Sequence, residues 1–328
     1  MPTVSVVICA YTEDRWSTIV RGAESAVGGS LAPDELILVI DHNSALFERA
    51  KRHFGDAATV VENNRRRGLS GARNTGVDAA RGEIVAFLDD DAVADADWLE
   101  LLIARYVDDS VVAVGGSARP AWPAARPPMY PTPGSAVDPT AGPGEFDWVV
   151  GCTYLGQPTS ASEVRNLMGC NMSLRRAAIV TAGGFGEELG RVGRIPLGGE
   201  ETELCIRITA ANPQATVIFE PSSAVSHEVA AARGTWGYFL RRCYAEGLSK
   251  ASIARLQGAT AALSTEKDYV VHVLGRGVLR ELRAGRFQGA AAIVAGLGIT
   301  GVGYVRGRLA RRTSSNAHRV FEPAAAQA

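Results

Sequence analysis

The chain has 328 residues, 46% hydrophobic and 21% charged, the composition of a folded globular protein rather than a disordered or fibrous one. With a formal net charge of -1, a strongly basic nucleic-acid surface is not implied, although arginines cluster at Arg65–Arg67 and near the C-terminus. The length allows a large core and is long for one domain, short for two full ones.

The N-terminus enters a strand at once, Val4-Ser5-Val6-Val7-Ile8, with no charged n-region or cleavage site, so no secretory signal is expected. Further strands are predicted at Glu35–Asp41, Thr59–Glu62, Glu83–Asp89 and Val111–Gly116, the first running over Val4–Ala10. Helices are predicted between them at Trp16–Val27, Ser44–Phe54, Ser70–Ala80 and Asp95–Val107, with Asp95 and Asp97 as capping acids. This alternation argues for βαβ units and a doubly wound, mostly parallel sheet with helices on both faces. From Arg119 to Gly144 the sequence turns rich in Pro and Gly and reads as a long irregular loop. Mixed strands and short helices follow to about His227, including a helix over Glu200–Ala211 and a strand over Thr216–Glu220. Helices are then expected at Thr235–Leu256 and Thr265–Ala284, and Phe287–Val305 carries no charged residue. Cys9, Cys152, Cys170, Cys205 and Cys243 have neither CxxC nor metal-site spacing and read as reduced residues of a cytosolic domain.

The densest chemical signal is Ile84-Val85-Ala86-Phe87-Leu88-Asp89-Asp90-Asp91. The apolar residues read as a buried strand, and three carboxylates cannot enter that core without a large desolvation cost. They leave at the carboxyl edge of the sheet, where open α/β folds bind ligands. Clustered hard oxygens there fit Mg²⁺ or Mn²⁺ bridging a phosphate; taken alone, the triplet fits a solvated capping loop equally well. Ala10-Tyr11-Thr12-Glu13, Asp41-His42-Asn43-Ser44 and the turn Gly68-Leu69-Ser70-Gly71-Ala72-Arg73-Asn74 fall at neighbouring strand ends and would share one crevice. Each by itself fits ordinary turn chemistry, Asp41 as a helix cap and Gly68 as a hinge. Neither GxGxxG after the first strand nor GxxxxGK[ST] is present.

Val4–Tyr11, Gly68–Asn74 and Phe87–Asp91 resemble family 2 glycosyltransferases of the GT-A fold. Gly169-Cys170-Asn171-Met172-Ser173-Leu174-Arg175-Arg176 with Gly183-Gly184-Phe185 resembles the family's acceptor-side segment, and Gly199-Glu200-Glu201 its Gly-Glu-Asp motif with Glu201 in place of Asp. The resemblance covers about Val4 to His227. It implies that Ala10, Tyr11, Glu13, Asp41, Arg73, Asp89 and Asp90 hold the nucleotide sugar. Asp91, Asp89 and His227 would hold the divalent metal, and Glu201, or Glu200 beside it, would take the acceptor proton. For His227 a surface loop residue is the plainer reading, and for Glu201 an N-terminal helix acid. Asn171, Arg241 and Arg242 are expected on the acceptor side, the two arginines also fitting a solvated helix face. Gly151–Tyr154 and Arg165-Asn166 would help shape it.

The resulting organisation is a glycosyltransferase unit over 1–230, with a nucleotide-binding half 1–118 and an acceptor-side half 119–230, and a helical, membrane-associated extension over 231–328. The basic residues Arg306, Arg308, Arg311, Arg312 and Arg319 follow Phe287–Val305 and would stay cytoplasmic, as would the nucleotide-sugar domain. One span cannot place both on the same side, so the segment is expected to be re-entrant, interfacial or an ordinary buried helix. The expected activity is inverting transfer from a nucleotide-diphosphate sugar, UDP by family frequency, to a hydroxyl or phosphate. The acceptor would be a lipid-linked saccharide or glycolipid of envelope glycan synthesis at the inner membrane face. A sugar-phosphate nucleotidyltransferase would need a Gly-rich Arg/Lys signature that Tyr11–Glu13 does not supply. Retention of Asp89, Asp91 and Glu201 together argues against a non-catalytic sugar-nucleotide scaffold.

Overall fold

The computed structural model of the protein describes residues 1–134, 142–191 and 197–310. The first strand, β1 (Val4–Ala10), lies between β2 (Glu35–Ile40) and β4 (Ile84–Asp89), with β3 (Thr59–Glu62) outside β2, all parallel. Val6, Ile8 and Ala10 enter one apolar cluster while Val7 enters another on the opposite face, as the two-residue period requires. Helices α1 (Trp16–Val27), α2 (Ser44–Phe54) and α3 (Leu69–Ala79) make the crossovers. Residues Ser70 to Val77 of α3 are all buried, and a Cβ on Gly76 would stand 2.5 Å from a Val7 methyl. Small residues thus let α3 lie close on the sheet.

Beyond Asp91 come the short β5 (Ala92–Ala94), α4 (Trp98–Ala104) and β6 (Val111–Ala121), then β7 (Ser162–Glu163), β8 (Asn171–Arg175), α5 (Arg176–Thr181), α6 (Glu200–Ala211) and β9 (Thr216–Glu228). The sheet order is β3-β2-β1-β4-β8-β6-β9-β5, with β7 beside β9. It is a mixed sheet: β8 runs antiparallel to both β4 and β6, while β6 and β9 are parallel.

Three local expectations are corrected. Helix α4 begins at Trp98 rather than Asp95, because Ala92–Ala94 pair with β9; Asp97 makes no side-chain cap, and Asp95 binds Arg119 at 2.5 Å. Strand β6 runs on through Pro120 into the stretch expected as loop. The Ala118 N–H turns away from β9 to Thr153 Oγ1, so Pro120, two residues on, needs no ladder donor. Strand β9 continues past Glu220 through His227, which is 2% exposed and not a surface loop residue. Residues 135–141 of the Pro/Gly-rich segment lie outside the described residues.

The C-terminal region is helical: α7 (Trp236–Leu256), the short α8 (Ala259–Ala262) and α9 (Glu266–Asp268), a π-helical stretch Tyr269–Leu274, α10 (Gly275–Arg283) and α11 (Phe287–Leu309). Helix α11 lies along α7 on glycines. A Cβ on Gly303 would collide with the Tyr244 carbonyl, and one on Gly307 would lie 2.6 Å from the Ala251 methyl. Phe239, Cys243, Leu274, Ala292 and Ile293 belong to the same core cluster as Val6 and Ile8. The boundary expected at residue 230 therefore does not divide two cores.

Among the described residues, α11 is the one helix long and apolar enough to cross a membrane. It is one continuous helix rather than a re-entrant hairpin. Ala290, Ala292 and Ile293 are buried, whereas Phe287, Val294, Val302, Val305 and Leu309 are exposed. Arg306 and Arg308 are exposed at its end; Arg311, Arg312 and Arg319 lie outside the described residues. All five cysteines are free, Cys9 half-buried and the others buried.

Candidate active site

One cavity of about 810 Å³ opens where the carboxyl ends of β1, β2 and β4 meet α6, α7 and α11. Ala10, Tyr11, Asp41, Arg73, Asp89, Asp90, Asp91, Glu200, Glu201, His227 and Arg242 all line it, as do Gly151, Tyr154, Arg165 and Asn166. Three expected residues do not. Glu13 is exposed beside Arg49, 3.6 Å away. Arg241 is exposed on the outer face of α7. Asn171 is fully buried within the sheet, accepting from Trp98 Nε1 at 2.7 Å and donating to the Ser117 and Ser223 carbonyls at 2.8 and 3.0 Å. It fastens β8 to β6 and to the bulge of β9 rather than facing an acceptor.

Asp41 anchors the turn at the end of β2. Its carboxylate accepts from Asn63 Nδ2 at 2.6 Å and from the Gly68 N–H at 3.0 Å. Gly68 has φ 127, a conformation that favours glycine, so the hinge and the carboxylate form one unit. Asn43, not Asp41, caps α2, accepting from the Leu46 N–H at 3.0 Å.

The acid cluster is balanced by cations that spacing did not reveal. Arg15 pairs with Asp90 and lies 3.2 Å from Asp91. Arg233 lies 3.2 Å from Asp91, and His227 Nε2 is 3.1 Å from the same carboxylate. Burial would raise the Asp91 carboxyl, but His227, Arg15 and Arg233 together hold it well below the ordinary range. Asp90 is pushed up to about 6 by burial, against the pull of Arg15 and with Asp91 and Asp89 adding to the rise. Ligand atoms of Asp89, Asp91 and His227 lie within 4.8 Å of one another, and of these the two carboxylates suit Mg²⁺ or Mn²⁺. Among the described residues, the buried His227 Nδ1 has no hydrogen-bond partner.

Arg73 is buried between Glu200, at 2.8 Å, and Asp89, at 3.4 Å, and donates to the Gly169 carbonyl at 2.8 Å. It ties α3, β4 and α6 together at the cavity wall. Among the described residues, Glu201 has no such partner. Burial and then Glu200 push its carboxyl up to about 8, against the attraction of Arg73. Of the two adjacent glutamates, Glu200 is held in an ion pair with Arg73 and Glu201 carries the raised carboxyl.

The description glycosyl transferase family 2 matches residues 5–180. A glucosyl-dolichyl phosphate glucuronosyltransferase of Haloferax volcanii is 32% identical over 314 residues, covering 93% of this chain and 96% of that protein. Probable N-acetylgalactosaminyltransferase 9 of Caenorhabditis elegans is 26% identical over 69% of this chain and 40% of its own length. Among solved structures, the mannosyltransferase PcManGT from Pyrobaculum calidifontis, in complex with GDP-Man and Mn²⁺, superposes with a TM-score of 0.58 at 19% identity, covering 93% of this chain and 87% of that one. GalNAc-T7 with UDP, GalNAc and Mn²⁺ superposes with a TM-score of 0.52 at 18% identity, over 82% of this chain and 54% of that one. The sheet order, the acid cluster at the end of β4 and the relative that spans nearly the whole chain agree: this protein belongs to glycosyl transferase family 2.

Proposed function

We propose that the protein transfers a sugar, with inversion, from a nucleotide-diphosphate sugar to a saccharide carried on a polyprenyl phosphate. The carrying observation is the cavity, which is lined both by the acid cluster and by apolar residues that include Val270, Val273 and Leu297. The Haloferax relative, by its name, acts on a sugar linked to dolichyl phosphate, which fits a cavity with both charged and apolar lining. UDP is the nucleotide favoured by family frequency.

In this reading Tyr11 and the Asp41 turn receive base and ribose, and Asp89, Asp91 and His227 would hold the divalent cation. That cation, when bound, offsets charge on the leaving diphosphate. Arg15 and Arg233 stand ready as further positive charge beside it. Glu201 accepts the proton of the acceptor hydroxyl as that oxygen attacks the anomeric carbon and the bond to the diphosphate breaks. Arg73 holds Glu200 and thereby the start of α6, which fixes where Glu201 stands.

The exposed apolar side of α11, with Arg306 and Arg308 beyond it, would lie against the cytoplasmic membrane face, where such an acceptor is held. Nucleotide release measured over UDP-, GDP- and dTDP-sugars, with and without a short polyprenyl phosphosugar, tests the proposal. Acceptor-stimulated release from one donor supports it; no release from any donor overturns it.

A further inference from the structure

Into the same cavity α7 turns a polar face: Arg242, Glu246 and Lys250, at helical spacing. Arg242 pairs with Glu246 at 2.8 Å, and its guanidinium carbon lies 5.5 Å from the centre of the Trp148 ring. Lys250 reaches Glu246 at 3.3 Å and Glu266 at 2.7 Å. Each of these α7 side chains is at most 21% exposed. Withdrawing so many charges from water is costly, and the packing of α7 on α11 runs through Gly247 instead. The donors are not exhausted. An ammonium has three N–H groups and the two carboxylates engage two; Arg242 gives Glu246 one of its five.

The location gives the cluster its meaning. Gly198, just ahead of Glu200 and Glu201, lies against Arg242: a Cβ there would be 3.4 Å from the guanidinium. Its N–H donates to Ser249 Oγ at 3.2 Å, so the loop bearing the proposed base is seated on α7. On the other side, Lys250 connects through Glu266 to the π-helical stretch that carries Val270 and Val273. Arg242 thus stands beside the loop of the proposed base, and Lys250, two turns on, beside the segment that leads to Val270 and Val273. In a saccharide linked to a lipid through phosphate, the phosphate lies between sugar and lipid.

We propose that Arg242 and Lys250 form a subsite for that bridging phosphate, with Glu266 as the counter-ion it displaces from Lys250. This rests on the lipid-linked acceptor proposed above. Charge-assisted hydrogen bonds of this kind correspond to roughly 10- to 100-fold in affinity.

The test uses the full chain and one fixed donor, so that a carboxylate on the donor sugar cannot produce the effect. Two acceptors are compared: a hexose on a short polyprenyl phosphate, and the same hexose on an alkyl chain of matching length without phosphate. Wild type should favour the phosphate-bearing acceptor in kcat/KM by the factor above. Lys250→Met should bring the ratio close to one, and Lys250→Arg should retain most of it. Should Lys250→Met fail to fold, Arg242→Gln carries the same expectation. Equal losses on both acceptors would make Lys250 a structural residue and overturn the subsite. A wild type active on both without preference overturns the subsite and leaves the transferase; a wild type that releases nucleotide from none of the UDP-, GDP- and dTDP-sugars screened to choose that donor overturns both.

Discussion

Asp91 meets His227, Arg15 and Arg233 from distant parts of the chain and shares a ligand cluster with Asp89 and His227, and two outcomes follow. With a chelator, sugar transfer should stop, and Mn²⁺ or Mg²⁺ should restore it. Asp91→Asn should lose cation-dependent transfer and also stability, since breaking a buried pair costs about 3–5 kcal/mol. Thermal unfolding beside initial rates separates the two; full activity of this variant in excess chelator would refute the cation site. Glu201 gives a second expectation. A base must be ionised to accept a proton, and its carboxyl titrates at about 8, so kcat should rise with pH up to that value and then level. Glu201→Gln should lower kcat roughly 10²–10⁴-fold and remove that limb of the profile. Glu200→Gln should act differently, lowering stability by stranding the buried Arg73. If Glu200→Gln removes the limb and Glu201→Gln does not, the base is Glu200.

Helices α7 and α11 touch through backbone. Gly247 and Gly303 face each other so closely that a side chain on either would meet carbonyls of the partner helix. Gly303→Val should therefore force the helices apart and lower stability by about 1–3 kcal/mol, read as a fall in Tm. Because Leu297, Thr300 and Tyr304 of α11 line the cavity, the same variant should raise the acceptor KM more than the donor KM. A Gly303→Val protein with unchanged Tm would show that the helices are not in contact. Two charged clamps hold the neighbouring segments. Arg280 pairs with the fully buried Glu145 at 2.6 Å, and Arg126 pairs with the fully buried Asp147 at 2.9 Å, so the end of the Pro/Gly-rich segment is fastened to α10.

Among the described residues, α11 is not separable from the body of the protein. Helix α11 contributes Ala292 and Ile293 to the main core, so cutting after Ala284 would expose Phe146 and Phe239 as well as remove an apolar surface. Membrane contact is better tested on the whole chain. The full-length protein should sediment with anionic vesicles, more at low salt than at high, because Arg306 and Arg308 each add about 1 kcal/mol near an anionic surface and salt screens that part. Substituting Val294, Val302 and Val305 together by Ser should weaken the salt-resistant remainder. Equal recovery in the supernatant with and without vesicles would make α11 an ordinary packed helix.

The sequence by itself determined the crossovers of the first half, the acid cluster at the end of β4 and its neighbours Tyr11, Asp41 and Arg73. These depend on two-residue and 3.6-residue periods and on turn chemistry, all carried by neighbouring residues. It also left Glu200 and Glu201 both open as the base, since adjacent residues share one motif; the Arg73 pairing that separates them joins residues 127 apart. Arg233 reaches Asp91 across 142 residues, and no local pattern announces it. Asn171 sat in a motif segment that resembled an acceptor wall, yet strand pairing turned it into the sheet. Arg241 and Arg242 differ by one position, but on a helix one step is about 100° of rotation, and only packing against α11 fixed which of them faces the cavity. The stripe Arg242, Glu246, Lys250 was present in the sequence as a helical spacing. What only the tertiary structure decided was that this face is turned inward, because the glycine faces of α7 and α11 lock together and leave one orientation for the rest.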